Sequence, residues 1–412
     1  MVFRVDKFGG GVMRCPHDLE RLSKRLSNDG GVVVVSAFHG ITRRLEAIVA
    51  LAWKGRTDVA IREWTAIWNM HLEWASVVGL DKGAIMDELK PVHDRVAHLL
   101  HHSFSEFGVF YDAIVAAGEQ LAAALVTAFL THYGWPSSRV RADEVVQTDN
   151  VPTRASVCYE STVQRIQGRV LPLLQNDQMV VIEGFIGRSV SGQITTLGKE
   201  GSDYTAALVA AAIGASTVTL WKNVPGVLDA DPQWFPDAVP LPYLSYRQAQ
   251  WMSLQGAQVI HPRTLDMACR YALALEIRSV VNPQYATQIS RRELVPYPSV
   301  GIVQDVIYAE VPDNAYTTFR MTTEKIPLTI IETQNQKGQW WIVGENNLEK
   351  WRIAARQSNV SPKLFQQGIR VVLTGRRRQV PTILRKYLLI DEKAFTDGRW
   401  EGIRQVFKKR SS

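Results

Sequence analysis

Hydrophobic positions along this chain alternate between short unbroken runs and longer amphipathic stretches. Residues 2–5 read as a strand running into Lys7-Phe8-Gly9-Gly10-Gly11. Residues 31–35 (GVVVV) form a second run, ending at Ser36-Ala37, and an uninterrupted β-branched run suits a parallel strand buried on both faces. From about residue 42 to 132 the pattern is mostly helical, with one apolar helix over 121–130. A strand over 179–182 leads into Glu183-Gly184-Phe185-Ile186-Gly187, an Ala-rich helix is expected over 204–213, and a strand over 217–221. A turn-rich segment, 225–242, precedes a helix from about 246 to 255. This alternation predicts an α/β fold, a parallel-rich sheet between helices.

Beyond that the pattern changes. Residues 282–298, with Pro283, Pro296 and Pro298, read as a linker. Short strands are expected over 301–309, 328–332, 339–343 and 369–373, with a helix near 348–356, which describes a smaller α+β domain. The 412 residues are too many for one ordinary core, and the expected division is a domain over 1–295 and another over 296–412. Charge follows the same division. Residues 296–412 hold 19 Lys+Arg against 11 Asp+Glu, so the surplus of the whole chain, +7, belongs to its C-terminal part. No aromatic-interleaved stacking motif accompanies that surplus, so a solvated face is expected and a nucleic-acid partner is not. The start, MVFRVDKFGG, lacks the long apolar stretch of a signal peptide, and no run of about 18 uncharged apolar residues announces a membrane span. Cys15, Cys158 and Cys269 are scattered and odd in number, which gives no metal spacing and no disulfide framework and fits a reducing cytoplasm.

Three segments at expected strand ends carry candidate chemistry. Lys7 and its glycines would bring a point charge and approachable backbone N–H groups to an anion. This is no Walker loop, because GxxxxGK[ST] is absent. Ser202 and Asp203 precede the Ala-rich helix, and either one suits a helix cap at an end that attracts anions. Asp203, being negative, would hold Mg²⁺ or orient Lys7 rather than touch phosphate. The third segment, Lys222-Asn223-Val224-Pro225-Gly226, follows a strand where open α/β sheets bind ligands. Residue types and spacing alone reach a phosphate-binding α/β enzyme and stop there.

A resemblance goes further. Lys7-Phe8-Gly9-Gly10, Val35-Ser36-Ala37 with Ile41-Thr42, Gly118-Glu119, Gly184-Phe185-Ile186-Gly187, TTLGKEGSDYTAA (195–207), WKNVPGVLDADP (221–232), Leu244-Ser245-Tyr246 and GAQVIHPRT (256–264) resemble, in order, the signature blocks of aspartate kinases, nearest to the monofunctional Bacteroidetes-like type. The resemblance implies an amino-acid-kinase fold, ATP and Mg²⁺, and transfer of the γ-phosphate to the side-chain carboxylate of aspartate. It also implies a homodimer or higher homo-oligomer and C-terminal ACT modules sensing lysine or threonine. It makes Lys7 and Asp203 catalytic. It gives the acceptor Ser36, Thr42, Glu119 (for its ammonium), Lys199 and Ser202, and the nucleotide Lys7, Gly9, Gly10, Lys222, Asn223, Leu228, Gln233 and Gln258. The chain departs from the family at Gly11, Arg43, Lys199, Asn223, Gln233 and Gln258. No clear ACT motif stands in 296–412, so lost or redesigned feedback is expected. Two other readings remain open: a kinase redirected to another acid, and a catalytically weak binding homologue.

Overall fold

The computed structural model describes residues 3–27, 30–102, 106–230, 238–254, 260–292, 299–311, 333–335, 338–343 and 366–374. Strand β1 (Val5–Phe8) starts three residues later than the apolar pattern suggests, so Lys7 lies inside a strand rather than in the loop beyond it. The reason is alternation along a pleated strand. Phe8 joins a large helical core, while Lys7 turns to the opposite face and meets a helix there. β1 pairs in parallel with β2 (Gly31–Val35), which the GVVVV run marks without error.

Helices α1 (His17–Ser23), α2 (Ile41–Trp53), α3 (Thr57–Val77), α4 (Lys82–His101), α5 (Phe107–Val115) and α6 (Ala117–His132) supply that core. Leu45, Trp64, Leu121 and Phe129 pack there with Phe8, Val33 and Val35. Burying each such side chain contributes about 1.5–3 kcal/mol. Helices α5 and α6 together, Phe107–His132, are long and apolar enough by composition to cross a membrane, but 83% of their most apolar window is buried within the protein, so here they form core. Asp112 and Glu119 interrupt this stretch, so it is no uncharged apolar run of the kind the sequence analysis found absent.

Three more elements, β3 (Ser137–Val140), α7 (Ala142–Val145) and β4 (Gln147–Thr148), lead to α8 (Tyr159–Gln175) and β5 (Met179–Glu183). A small three-stranded sheet joins β4, β6 (Ile186–Ser189) and β7 (Ile194–Thr196). Then come α9 (Gly201–Ile213), β8 (Thr217–Lys222), β9 (Tyr243–Ser245), α10 (Tyr246–Leu254), α11 (Pro262–Arg270), β10 (Ala274–Ser279) and β11 (Ala286–Ser290). The main sheet runs β3-β5-β2-β1-β8-β10-β11-β9, parallel except where β11 opposes β10. β11 occupies part of the stretch expected to be linker: Thr287 and Ile289 point inward and are buried, an alternation too short to stand out beside Pro283.

By contacts the chain forms two units. One comprises 1–227, 240–249 and 260–294. The other comprises 228–239, 250–259 and 295–412. Within the second, β12 (Ser299–Val311) lies between β14 (Gly338–Val343) and β15 (Gln366–Thr374), antiparallel to both, and β13 (Thr333–Asn335) flanks β14. Three of the expected strands fall on β12, β14 and β15; the expected strand over 328–332 and helix near 348–356 lie outside the described residues.

Candidate active site

The sheet register gathers the candidate residues. Phe8 pairs with both Val35 and Trp221, and Val35 pairs with Glu183. These four residues form one rung, so Gly9, Ser36, Lys222 and Gly184 emerge together along the carboxyl edge of the parallel strands. That edge, where strand order reverses around the first strand, is where open α/β sheets bind ligands.

Glycines let the loops close on one another. A Cβ on Gly10 would lie 2.8 Å from the Ala37 carbonyl oxygen, and one on Gly9 3.2 Å from the Lys7 ammonium. A Cβ on Gly184 would fall 2.7 Å from the Ser202 Cα, so this glycine sets how near α9 approaches β5. Gly11 faces open space and meets no such constraint.

Asp203 lies at the centre of the charge. It is the third residue of α9, not its cap: the helix begins three residues earlier than its Ala-rich run, and the residue at the N-cap position is Glu200. A capping role for Ser202 or Asp203 is therefore overturned, and no side chain caps the helix. The Asp203 carboxylate is drawn instead to two ammonium groups. Its Oδ1 is ion-paired with Lys7, and its Oδ2 accepts from Lys222 Nζ at 2.8 Å. Lys7 and Asp203 are both buried, while Lys222 is 27% exposed. Burial alone would raise the Asp203 pKa, but the two lysines outweigh it and hold the carboxyl well below its usual range. Burial pulls the Lys7 ammonium down, against the attraction of Asp203. Two cations around one anion leave one positive charge in surplus at a helix N-terminus, an arrangement suited to an anion.

Glu119 lies close enough to Lys7 to feel its charge. It lies in the first turn of α6, fully enclosed, with a carboxylate that accepts the Ala37 N–H while Oε2 has no hydrogen-bond partner. Burial pushes its pKa up to about 7, with the Ala37 bond and the Lys7 charge opposing the rise. An orphaned, enclosed carboxylate oxygen asks for a donor.

The remaining candidates are placed less tightly. Ser36 and Thr42 are half-buried, and Ser202 is buried beneath Gly184. Lys199, Arg43 and Asn223 are exposed, and among the described residues no hydrogen bond joins Lys199 or Thr42 to the Asp203 cluster. Leu228 groups with the second unit and is half-buried there. Gln233 and Gln258 lie outside the described residues.

The last sequence block contributes more than its residue types suggest. His261 caps α11, its Nδ1 accepting the Arg263 N–H at 3.3 Å, with Pro262 at the first helical position. Arg263 donates to the Leu197 carbonyl at 2.9 Å and stacks over the Tyr204 ring at 4.8 Å. It thereby braces both ends of the segment that carries Ser202 and Asp203. Sequence reasoning assigned Arg263 nothing, since its partners are a carbonyl and a ring distant in sequence.

Comparison with known proteins adds three facts. The profile of the amino acid kinase family matches residues 3–279. The chain is 34% identical over 298 residues to the bifunctional aspartokinase/homoserine dehydrogenase of Haemophilus influenzae, covering 68% of this chain and 35% of that protein. It is 30% identical over 288 residues to lysine-sensitive aspartokinase 3 of Escherichia coli (68% and 62%), and 26% identical over 294 residues to chloroplastic aspartokinase 1 of Arabidopsis thaliana (68% and 50%). The matched stretch thus spans about half the length of such relatives. The fold superposes on that of E. coli aspartokinase III in complex with aspartate and ADP with a TM-score of 0.73 at 22% identity, covering 90% of this chain and 87% of the other.

Proposed function

We propose, from the premise that this chain belongs to the amino acid kinase family, that it is an aspartate kinase, transferring the γ-phosphate of MgATP to the side-chain carboxylate of L-aspartate. The product would be 4-phospho-L-aspartate, the entry to lysine, threonine and methionine synthesis. The observation that carries this reading is the Lys7–Asp203–Lys222 cluster at the carboxyl rim, with the enclosed Glu119 carboxylate within reach of the Lys7 charge.

The reaction needs little from the protein beyond position and charge. An aspartate side chain is ionised at neutral pH, so its oxygen attacks phosphorus without losing a proton. One O–P bond forms, the bond to the β-phosphate oxygen breaks, and ADP carries the charge away. No general base is required, and Asp203, held ionised between two ammonium groups, is placed to orient cations rather than to take a proton. In this reading Lys7 neutralises the transferring group. Lys222, Asn223, Gly9 and Gly10 face the nucleotide. Ser36, Thr42, Lys199 and Ser202 hold the acceptor's carboxylates, and the orphaned Oε2 of Glu119 receives its ammonium.

Both Asp203 oxygens are engaged by lysines, and among the described residues no group of three or more His, Cys, Asp or Glu is placed to hold a metal ion. In this scheme magnesium enters as part of the substrate MgATP. Residues 1–295 are assigned as the kinase domain and 296–412 as a divergent ACT-like domain; the homo-oligomer and the cytoplasmic location belong to the same proposal.

The test is a coupled assay of ADP release with purified protein, MgATP and aspartate. Turnover that saturates in aspartate and disappears in Asp203→Ala is expected. Turnover no higher than in Asp203→Ala would overturn the reading.

A further inference from the structure

Glu200 has no part in the scheme above, yet its backbone is in an unfavourable conformation. It sits at φ 55° and ψ 26°, the left-handed region that residues with a Cβ avoid, one step before α9. Glycine would hold this turn without strain, and the chain has glycines close by at Gly198 and Gly201. The chain places a carboxylate there instead. The Glu200 carbonyl accepts the N–H groups of Asp203 at 3.1 Å and Tyr204 at 3.3 Å, and its Oε2 accepts the His261 N–H at 3.0 Å. The side chain is exposed, and it stands near enough to Lys7 and Lys222 to favour the charged form of each.

Three attractions for negative charge converge here: two ammonium groups and the N-terminus of α9. One unit of positive charge is left over after Asp203 is counted, and Glu200 supplies the matching negative charge. We propose that Glu200 is a resident counter-ion of the anion site, balancing the lysine pair when the site is empty and opposing the phosphates when it is filled, so that its charge sets nucleotide affinity. The proposal rests on the reading of this rim as a polyphosphate site.

Three variants separate charge from backbone and from the bond to His261. Glu200→Gln keeps the left-handed residue and an acceptor oxygen for the His261 N–H but removes the charge. Glu200→Ala removes charge and bond and keeps the strain. Glu200→Gly removes all three. Calorimetric titration with pyrophosphate, which asks only for the anion site, and with MgADP is the measurement. One charge at this range predicts that all three variants bind pyrophosphate roughly three- to tenfold more tightly than wild type at low salt, with the gap shrinking at high salt. If Glu200→Gln binds pyrophosphate like wild type, the counter-ion role is overturned, whatever the other two do. Wild type that binds pyrophosphate but not MgADP would remove the kinase reading and leave the counter-ion in place, provided the variants still bind pyrophosphate more tightly.

Discussion

Asp203 has both carboxylate oxygens committed to lysines in a buried setting, so its removal strands two positive charges. Breaking such a buried ion pair by losing one partner costs on the order of 3 kcal/mol or more. Asp203→Asn is therefore expected to lose turnover and to unfold at clearly lower denaturant. Asp203→Asn combined with Lys7→Met should regain much of that stability while staying inactive, since the most buried unpaired charge is gone. Chemical denaturation of the two variants measures this, and a double variant no more stable than the single one would contradict it. Glu119 has the opposite character. Its folded pKa of about 7 stands above its ordinary 4.5, so the native state holds a proton that the unfolded chain releases earlier. The associated stability is present below about pH 4.5 and is lost as pH rises through about 7. Glu119→Gln should accordingly gain on wild type as pH increases, by up to about 3 kcal/mol above pH 7. Activity should move the other way. The wild-type KM for aspartate should rise as pH falls below 7, while the variant's KM stays high and flat; parallel profiles would refute the ammonium role. Lys7, Glu119 and Asp203 were legible as residues through the ordered motif blocks. Their couplings were not, because the Lys222–Asp203 bond and the Glu119 orphan depend on burial that sequence does not carry.

Among the elements, α9 is positioned by close approach rather than by a cap. A Cβ on Gly184 meets the Ser202 Cα, and either β5 or the first turn of α9 has to yield. Gly184→Ala is expected to lose about 1–3 kcal/mol and to lower kcat at least tenfold, because Asp203 shifts with its helix. Gly168→Ala, within α8 where the added Cβ meets open space, should instead gain about 0.5–1 kcal/mol with kcat unchanged. Melting temperature and steady-state rates for the two variants test the contrast. The elements also show where pattern reading fails. GVVVV is unambiguous, since each residue has the same preference. β1 is misplaced by three residues because Asp6 and Lys7, normally surface residues, are both buried within it; Asp6 is held by the Trp221 indole at 2.8 Å. β3, β10 and β11 mix half-buried with buried positions over four to six residues, too few to be told from loop.

At the scale of the whole molecule, the kinase-like part was visible as an alternation of strands and helices with motifs in order. The order of its eight strands was not, because pairing partners such as β1 and β8 are more than 200 residues apart. No clear ACT motif is legible in the sequence of the C-terminal part, which motivates an expectation about regulation: millimolar lysine or threonine should leave the initial rate nearly unchanged. Strong inhibition by either would return an effector site to residues 296–412. One measurement bears most directly on the activity itself. Incubation with MgATP, aspartate and hydroxylamine should trap the acyl phosphate as aspartyl hydroxamate in proportion to ADP released, and Asp203→Ala should form none. A hydroxamate yield higher with another acid than with aspartate, or equal in Asp203→Ala, would contradict an aspartate kinase built on the Lys7–Asp203–Lys222 cluster.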